Sequence, residues 1–545
     1  MRWLATTVCV FCCCACRPSD CTPEATSAGS AQILFRYAVA EPTSSIDPRT
    51  VTGNARAMAT NLFEGLVGLD VDGTLKFVGA KSLDVLPDGL TYTFTLRPEV
   101  KWSDGWPVTA RDYEYAYKTA LNPIFGSETA SILYPLKNAE AYNSGKISSA
   151  GEVGVRALDD YTLELKLERR RPQLLQTMTT SFVFMPVPQH VVSEFHQAWI
   201  DPPHIVTNGP FTISEWTHNE LAVLKRNPFY WEHRSYIDEV RIALVGDPAA
   251  QGLTMYEAGD LDYATVSGAD LTRIQADKRY QKRLHRASVP RMYGLFMDQR
   301  RAPFNDLRVR KALYLAIDRE GLKTISGGHL HPLYSPIPQM VPGHSDDIRL
   351  PGTLEIAKAL LVQAGYPAGH GIPPLTLVVR NSSIEALQAE AIQSMLQSSL
   401  GIAINVQALE PSAFRSFTAS VRDGNAYDIA LFTATADDPD PSLFHNLMIG
   451  RNGEGWYRTY WHNPNYNRLL SDSDNEVDSA KRLAIYKQMD RLVVEDVGFI
   501  PVSEEDLTFI VNPAFSGIYI PFGETDPNVS RASADSLNTC RRSPH

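Results

Sequence analysis

The stretch Asp428-Ile429-Ala430-Leu431-Phe432-Thr433-Ala434 is apolar at consecutive positions, where a half-wet strand would alternate. Such a strand is buried on both faces, as in the interior of an α/β sheet. It runs into Asp437-Asp438-Pro439-Asp440-Pro441, and ligands of open α/β sheets bind outside the carboxyl ends of the strands. The acidic loop is therefore the candidate site. Read alone, its three carboxylates fit an acid/base pair, a cation site, a receptor for an ammonium group or a solvated turn.

Outward from this strand, the pattern alternates between strand and helix, which points to a mixed α/β chain. Tyr92-Thr93-Phe94-Thr95-Leu96 and Tyr161-Thr162-Leu163-Glu164-Leu165-Lys166-Leu167 alternate with period two and predict half-buried, antiparallel strands. Val309, Ala312, Leu313, Ala316 and Ile317 follow a helical spacing, with Asn305 or Asp306 available as the N-cap. Ile485, Met489, Leu492 and Val493 predict a second helix. A third runs from about Leu354 to Ala364 and is closed by Gly365. Each is expected to pack against a sheet.

A chain of 545 residues exceeds the size at which one core keeps growing, so lobes are expected. The net charge of -11, without a Lys/Arg cluster interleaved with stacking aromatics, argues against nucleic acid as a partner. There is no HExxH, GxSxG, GxxxxGK[ST] or strand-linked GxGxxG, and the thirteen His are scattered. Nothing in the body proposes a catalytic residue, a metal or a cofactor, and binding is the default reading. The aromatic groups Trp102 to Trp106, Asn227 to Trp231 and Trp456 to Trp461 are assigned mainly to packing.

Six of the seven cysteines, Cys9, Cys12, Cys13, Cys14, Cys16 and Cys21, fall in the first 21 residues, and only Cys540 lies elsewhere. Arg2 followed by the apolar run Trp3 to Ala15 has the form of a secretory signal and is too short to span a bilayer. The stretch is similar to a bacterial lipoprotein signal. That similarity implies lipidation of Cys16 after Ala15, with Cys14 as the alternative, and the polar residues Arg17 to Gln32 serve as a tether.

Eight ordered segments resemble the family 5 extracellular solute-binding proteins of bacterial ABC transporters, in the oligopeptide-binding branch. They are LFEGLV from Leu62, KWSDGWPVTARDYEYAY from Lys101, ALDDYTLELKL from Ala157 and IVTNGPFTISEW from Ile205. Four more follow: LKRNPFYW from Leu224, YEAGDLDYA from Tyr256, APFNDLRVRKALYLAIDR from Ala302 and YDIALFTATADDPDPSLF from Tyr427. The resemblance covers roughly residues 33 to 530. It implies an α/β, two-lobed, hinged periplasmic binding protein fold (large cluster, type II-like) with an additional inserted domain. The expected parts are a signal peptide (1–15), a lipid-anchored tether (16–32) and lobe I (31–63, 188–290 and 504–534). Lobe I carries the inserted domain (64–187), and lobe II (291–503) and a C-terminal tail (535–545) complete the chain.

By this resemblance Asp437 pairs with the α-amino group of a bound peptide, and Thr435 and Ala436 adjoin it on the strand. The loop Thr52-Gly53-Asn54, Tyr134 and Phe414 fall at other ligand-lining positions. Leu431 and Ala386 stand where tight oligopeptide binders of the family carry an arginine and a histidine, and the aromatic expected near Ala434 is missing. Arg415 and Arg422 are the nearby basic residues able to compensate. The implied function is a non-enzymatic receptor in the cell envelope, periplasmic and lipid-anchored to the membrane. It is expected to be a monomer that captures oligopeptides and delivers them to ABC permease subunits. Two alternatives remain: the same fold binding a metal chelate, haem or glycan, and a hydrolase using Asp437 with Asp438 or Asp440.

Overall fold

The two stretches read as half-wet strands pair with each other in the computed structural model, which describes residues 32–70, 73–232, 236–266, 268–436, 438–522, 526–530 and 533–534. Along the chain, β1 (Leu34–Val39) precedes β2 (Ala80–Val85), β3 (Thr91–Leu96), β4 (Val155–Asp159) and β5 (Thr162–Lys166). β6 (Phe211–Thr217), β7 (Leu221–Arg226) and β8 (Glu239–Leu244) follow. β3 and β5 are antiparallel, with Phe94 opposite Leu163, in a sheet ordered β2-β3-β5-β4. Their inward residues, Tyr92, Phe94, Leu163 and Leu165, are buried, as period-two alternation demands. A second sheet is ordered β1-β8-β7-β6, with β1 parallel to β8. One apolar core containing Phe35, Phe94, Trp102 and Leu224 is continuous beneath both sheets.

The chain then builds a seven-stranded mixed sheet. Its members are β9 (Tyr263–Thr265), β10 (Leu284–Met297), β11 (Leu330–Pro332), β12 (Leu375–Arg380), β13 (Ile404–Leu409), β14 (Ile429–Thr435) and β15 (Ile500–Val511). The order is β9-β15-β10-β14-β12-β13, with β11 added on β15. β14 is parallel to β12 and antiparallel to β10. Ile429 and Leu431 enter one apolar core, with Leu313, Val379 and Leu396. Ala430, Phe432 and Ala434 enter another on the opposite face, with Phe296, Tyr457 and Met489. The strand therefore has no wet face, as its unbroken apolar run predicts.

Helices cover both faces. α1 (Ala110–Ala120) and α2 (Leu174–Thr180) belong to the first half, and α3 (Leu307–Ala316) is capped by Asp306, whose carboxylate accepts from the Arg308 N–H. α4 (Leu354–Gln363) lies along α3 and is closed by Gly365 at φ +92°, a left-handed position that favours glycine. α5 (Ser383–Leu400), α6 (Pro411–Arg422) and α7 (Ser479–Glu495) complete the cover used below.

β10 and β15 are long because they cross from one half to the other. Phe509 and Val511 enter the first core, whereas Ile500 and Val502 enter the second. Their pairing is regular from Leu284↔Ile510 to Ser288↔Asp506 and resumes at Met292↔Glu504. Between them Val289, Pro290 and Arg291 oppose Glu505 alone, a bulge that bends the strand and tolerates a proline without an N–H. The two lobes thus share a sheet that is interrupted where it passes between cores.

Phe432 tests how far β14 depends on its double burial. Its ring stacks on Tyr457 at 4.1 Å and also meets Phe296 at 5.7 Å. Phe432→Ala is expected to lower the unfolding free energy by about 3–5 kcal/mol in urea titration. A loss below about 1 kcal/mol would show that the core tolerates the cavity and that the strand is not clamped as described.

Candidate ligand-binding site

β14 delivers the acidic loop to the crossing. The Thr435 hydroxyl accepts from Arg291 Nε at 3.2 Å, and the buried Ala436 donates its N–H to the Pro290 carbonyl at 2.8 Å. Asp437 lies outside the described residues, as does Cys16. The other two carboxylates have distinct partners. Asp438 accepts from the Thr177 hydroxyl of α2 at 2.8 Å, a bond between the two halves of the molecule. Arg171, just before α2, also lies in the field of Asp438: burial lowers its guanidinium and the charge of Asp438 opposes that shift. Asp440 is paired with Arg482 of α7 at 2.7 Å, each side chain only 2% exposed, and also accepts from the Ser442 N–H. Such a buried pair holds the loop to α7, because removing either partner strands a buried charge.

The remaining predicted positions are spread over three places. The Thr52 backbone is bound to the Ser44 hydroxyl through its N–H and its carbonyl, and Gly53 takes φ +54° with open space where a Cβ would stand. Asn54 is engaged in its own loop, accepting from the Thr43 N–H and hydroxyl and donating to the Ala40 and Glu41 carbonyls. The Tyr134 hydroxyl donates to Asn143 at 2.7 Å, a bond internal to the first half. Phe414 packs between Phe417 and Phe432 and so braces β14 from α6. On the same helix Arg415 is exposed, and Arg422 lies over the Trp456 ring at 5.4 Å. Leu431, Ala434 and Ala386 are the positions where the resemblance implies an arginine, an aromatic and a histidine. Leu431 and Ala434 are buried in apolar cores and Ala386 is half-buried on α5. Phe414 is joined to the candidate strand by its ring contact. Among the described residues no hydrogen bond joins Thr52, Asn54 or Tyr134 to it.

Three charged groups that sequence patterning did not single out sit at the crossing. Glu505 meets Arg291 at 3.0 Å, the Tyr293 hydroxyl at 2.6 Å and His329 at 3.3 Å. Burial alone would raise its carboxyl, but the His329 hydrogen bond, the Arg291 charge and the Tyr293 hydroxyl outweigh it and hold the group at about 2. Among the described residues the Glu504 carboxylate accepts one hydrogen bond, from the Gln339 N–H at 2.8 Å, and burial, reinforced by Asp506 and Asp346, pushes it up to about 7. Asp506 faces His331 at 2.7 Å and the Ser288 hydroxyl at 3.2 Å. A cavity of about 160 Å³ lies nearby, where Met340 and Phe522, which pack into one apolar core, meet Glu64, Phe182 and Tyr230 of the first half. None of the predicted residues lines it.

With the strand end and the crossing in view, comparison with known proteins decides the family. The profile described as bacterial extracellular solute-binding proteins, family 5 Middle, matches residues 77–456. The chain belongs to this family. It is 30% identical over 478 residues to the periplasmic oligopeptide-binding protein OppA of Salmonella typhimurium, covering 84% of each chain. It is 29% identical over 497 residues to the probable deoxycholate-binding periplasmic protein YgiS of Escherichia coli, covering 89% of this chain and 90% of that one. The solved structure of the murein tripeptide-binding protein MppA in its unliganded open form superposes with a TM-score of 0.81 at 24% identity, over 93% of this chain and 98% of that one. The family member is thus a two-lobed solute-binding protein of α/β type.

The crossing carboxylates act on stability in opposite directions. Glu504, raised in the folded state, holds a proton that the unfolded chain releases, so its contribution is full below about pH 4.5 and is lost as pH rises to about 7. Glu505, lowered, contributes above about pH 4.5 and loses that contribution as pH falls towards about 2. Between about pH 5 and about pH 8, Glu504→Gln is expected to remove a stability decline on the order of 2–3 kcal/mol in urea titrations. Parallel slopes for the wild type and the variant would contradict this electrostatic picture.

Proposed function

We propose that this protein is an extracytoplasmic receptor that captures oligopeptides between its two lobes and delivers them to an ABC import permease, with no chemistry of its own. The observation that carries this reading is the division of labour in the acidic loop. Asp440 is committed to Arg482 and Asp438 to Thr177, so recognition of a ligand's ammonium group falls to Asp437. A desolvated ammonium needs such a carboxylate, and leaving either charge buried without the other typically costs about 3–5 kcal/mol. The same division weakens the hydrolase alternative, because both carboxylates that would assist Asp437 are occupied. Thr435 and Ala436 would adjoin the ligand as the end of β14, with Thr52, Gly53, Asn54, Tyr134, Phe414, Arg415 and Arg422 as outer contacts. Main-chain hydrogen bonding to an extended peptide would tolerate varied side chains.

In this reading lobe I comprises 31–63, 188–290 and 504–534 with the inserted domain 64–187, and lobe II comprises 291–503. The change of core along β10 and β15, at the bulge facing Glu505, supports these limits. The protein acts as a monomer, exported by residues 1–15 and held to the membrane through lipidated Cys16 and the tether 16–32. Among the described residues no helix is long and apolar enough to cross a membrane. The name of the relative YgiS, together with Leu431 and Ala386 in place of basic groups, favours a non-peptide solute as the second reading.

Native mass spectrometry of the protein purified without denaturation, beside Asp437→Ala, tests the choice. Peptides of mixed sequence are expected in the wild type and their loss in the variant. A non-peptide mass retained by both proteins would overturn the assignment of peptides and of Asp437.

A further inference from the structure

The stretch of β15 that passes between the cores is clasped by a strap of the second half. β11 pairs with β15 through Leu330↔Glu505, His331↔Glu504 and Pro332↔Ser503, and the Asp506 N–H donates to the His329 carbonyl at 3.0 Å. The strap is rooted where Leu330 enters one core of the second half and Leu333, Ile337 and Val341 enter the other. It therefore lies on β15 where the ladder with β10 is interrupted by the bulge. Two histidines of the strap face the carboxylates there. His329 Nε2 lies 3.3 Å from Glu505 Oε1, and its Nδ1 is buried without a hydrogen-bond partner. His331 Nε2 lies 2.7 Å from Asp506 Oδ2 but out of line for a hydrogen bond, so this contact draws its energy from charge.

The same carboxylates are held from β10. Ser288, before the bulge, donates its hydroxyl to Asp506 at 3.2 Å, whereas Arg291 and the Tyr293 hydroxyl reach Glu505 at 3.0 and 2.6 Å. The bend of the ladder and the seating of the strap thus depend on the same two charges. Other charged groups face the cluster from each neighbouring element. Glu504 faces Asp506 and, on the loop after the strap, His344 and Asp346; Tyr293 faces Glu385 of α5; and Arg286 of β10 donates to the Gly328 carbonyl at 2.9 Å. Histidine is the side chain that gains its charge between about pH 8 and about pH 5. Burial sets Glu504 to lose its own charge in the same interval, at about 7. At the upper end, three consecutive carboxylates share Arg291. At the lower end, the two that stay charged are matched, Glu505 by Arg291 and His329, and Asp506 by His331. Lobes that close displace water between them, and charges that lose water are favoured when paired and disfavoured when unpaired.

We propose that the crossing is a proton-sensitive hinge: His329 and His331, as they gain charge, clamp the strap onto Glu505 and Asp506, so that closure on a ligand takes up protons and is favoured in mild acid. The proposal rests on the reading above, a receptor whose lobes close on a peptide, and adds control of that closure by proton concentration. The two histidines are positioning residues, acting on binding through the bend of β10 and β15. Their effect has a route to the ligand end of the sheet, because Arg291, which holds Glu505, also donates to the Thr435 hydroxyl at the end of β14.

Isothermal titration calorimetry of the ligand-freed protein with trialanine, tetra-alanine and penta-alanine tests the hinge. Titrations are run at pH 5.5 and pH 7.0 and, at pH 6.5, in phosphate and in imidazole, two buffers of different ionisation enthalpy. The wild type is expected to bind about threefold to tenfold more tightly at the lower pH, as a shift of up to about one pKa unit on closure supplies. Its binding enthalpy is expected to differ between the buffers by the ionisation heat of on the order of one proton taken up. The combined His329→Asn and His331→Asn variant is expected to bind at pH 7.0 and to lose both effects, and Glu504→Gln to lose part of each. Histidines that merely pack would change the thermal midpoint of the variant and leave its proton uptake intact. Equal affinity at both pH values with equal enthalpy in both buffers, proton release on binding, or uptake retained by a folded histidine variant overturns the hinge while the peptide reading stands. Absence of binding by every peptide at either pH overturns the peptide reading, and the hinge with it.

Discussion

Burial of β14 on both faces is the constraint on which the site depends. A strand with one wet face can tilt or slide at the cost of a few solvent contacts, but Ile429–Thr435 is held by one apolar core through Ile429 and Leu431 and by another through Ala430, Phe432 and Ala434. Slipping by one residue would exchange the two sets and mispack both cores, setting alanines and Phe432 where Ile429 and Leu431 fit. The end of the strand is therefore fixed, and so is the departure of the loop that follows. The Asp440–Arg482 pair continues that fixation by a different force, tying the loop to α7 where no water competes.

The crossing strands solve the opposite problem. β10 and β15 must be rigid enough to carry a ladder through both lobes, yet two lobes that close on a ligand must bend somewhere. The bulge at Val289, Pro290 and Arg291 is the one interruption of that ladder that lies between the cores. It is also where Glu504, Glu505 and Asp506 cluster, each in a different electrostatic setting. Charge at this position responds to small movements because the groups are partly desolvated and close together. The Thr177–Asp438 bond joins α2 to the acidic loop.

Much of this fold was legible because local patterns and tertiary burial agree. The alternation in Thr91–Leu96 and Thr162–Lys166, the apolar run at Ile429, the cap at Asp306 and the left-handed Gly365 all emerge as read. The candidate site was legible only in part. The position of the acidic loop follows from the strand before it, but the partners of its carboxylates do not. Arg482 is distant along the chain from Asp440, and Thr177 is further still. Neither stands in a motif. Asn54 and Tyr134 resemble ligand-lining residues in sequence, yet their polar atoms are satisfied close by, which only the folded arrangement reveals.

The lobes, the crossing and the strand end together imply that ligand binding changes the shape of the molecule as well as filling a site. Small-angle X-ray scattering of the purified protein, freed of bound ligand and then saturated with a peptide it retains, tests this directly. A smaller radius of gyration with peptide, at unchanged molecular mass, is the expected result. Identical scattering with and without a peptide shown to be bound would contradict capture by closure of two lobes.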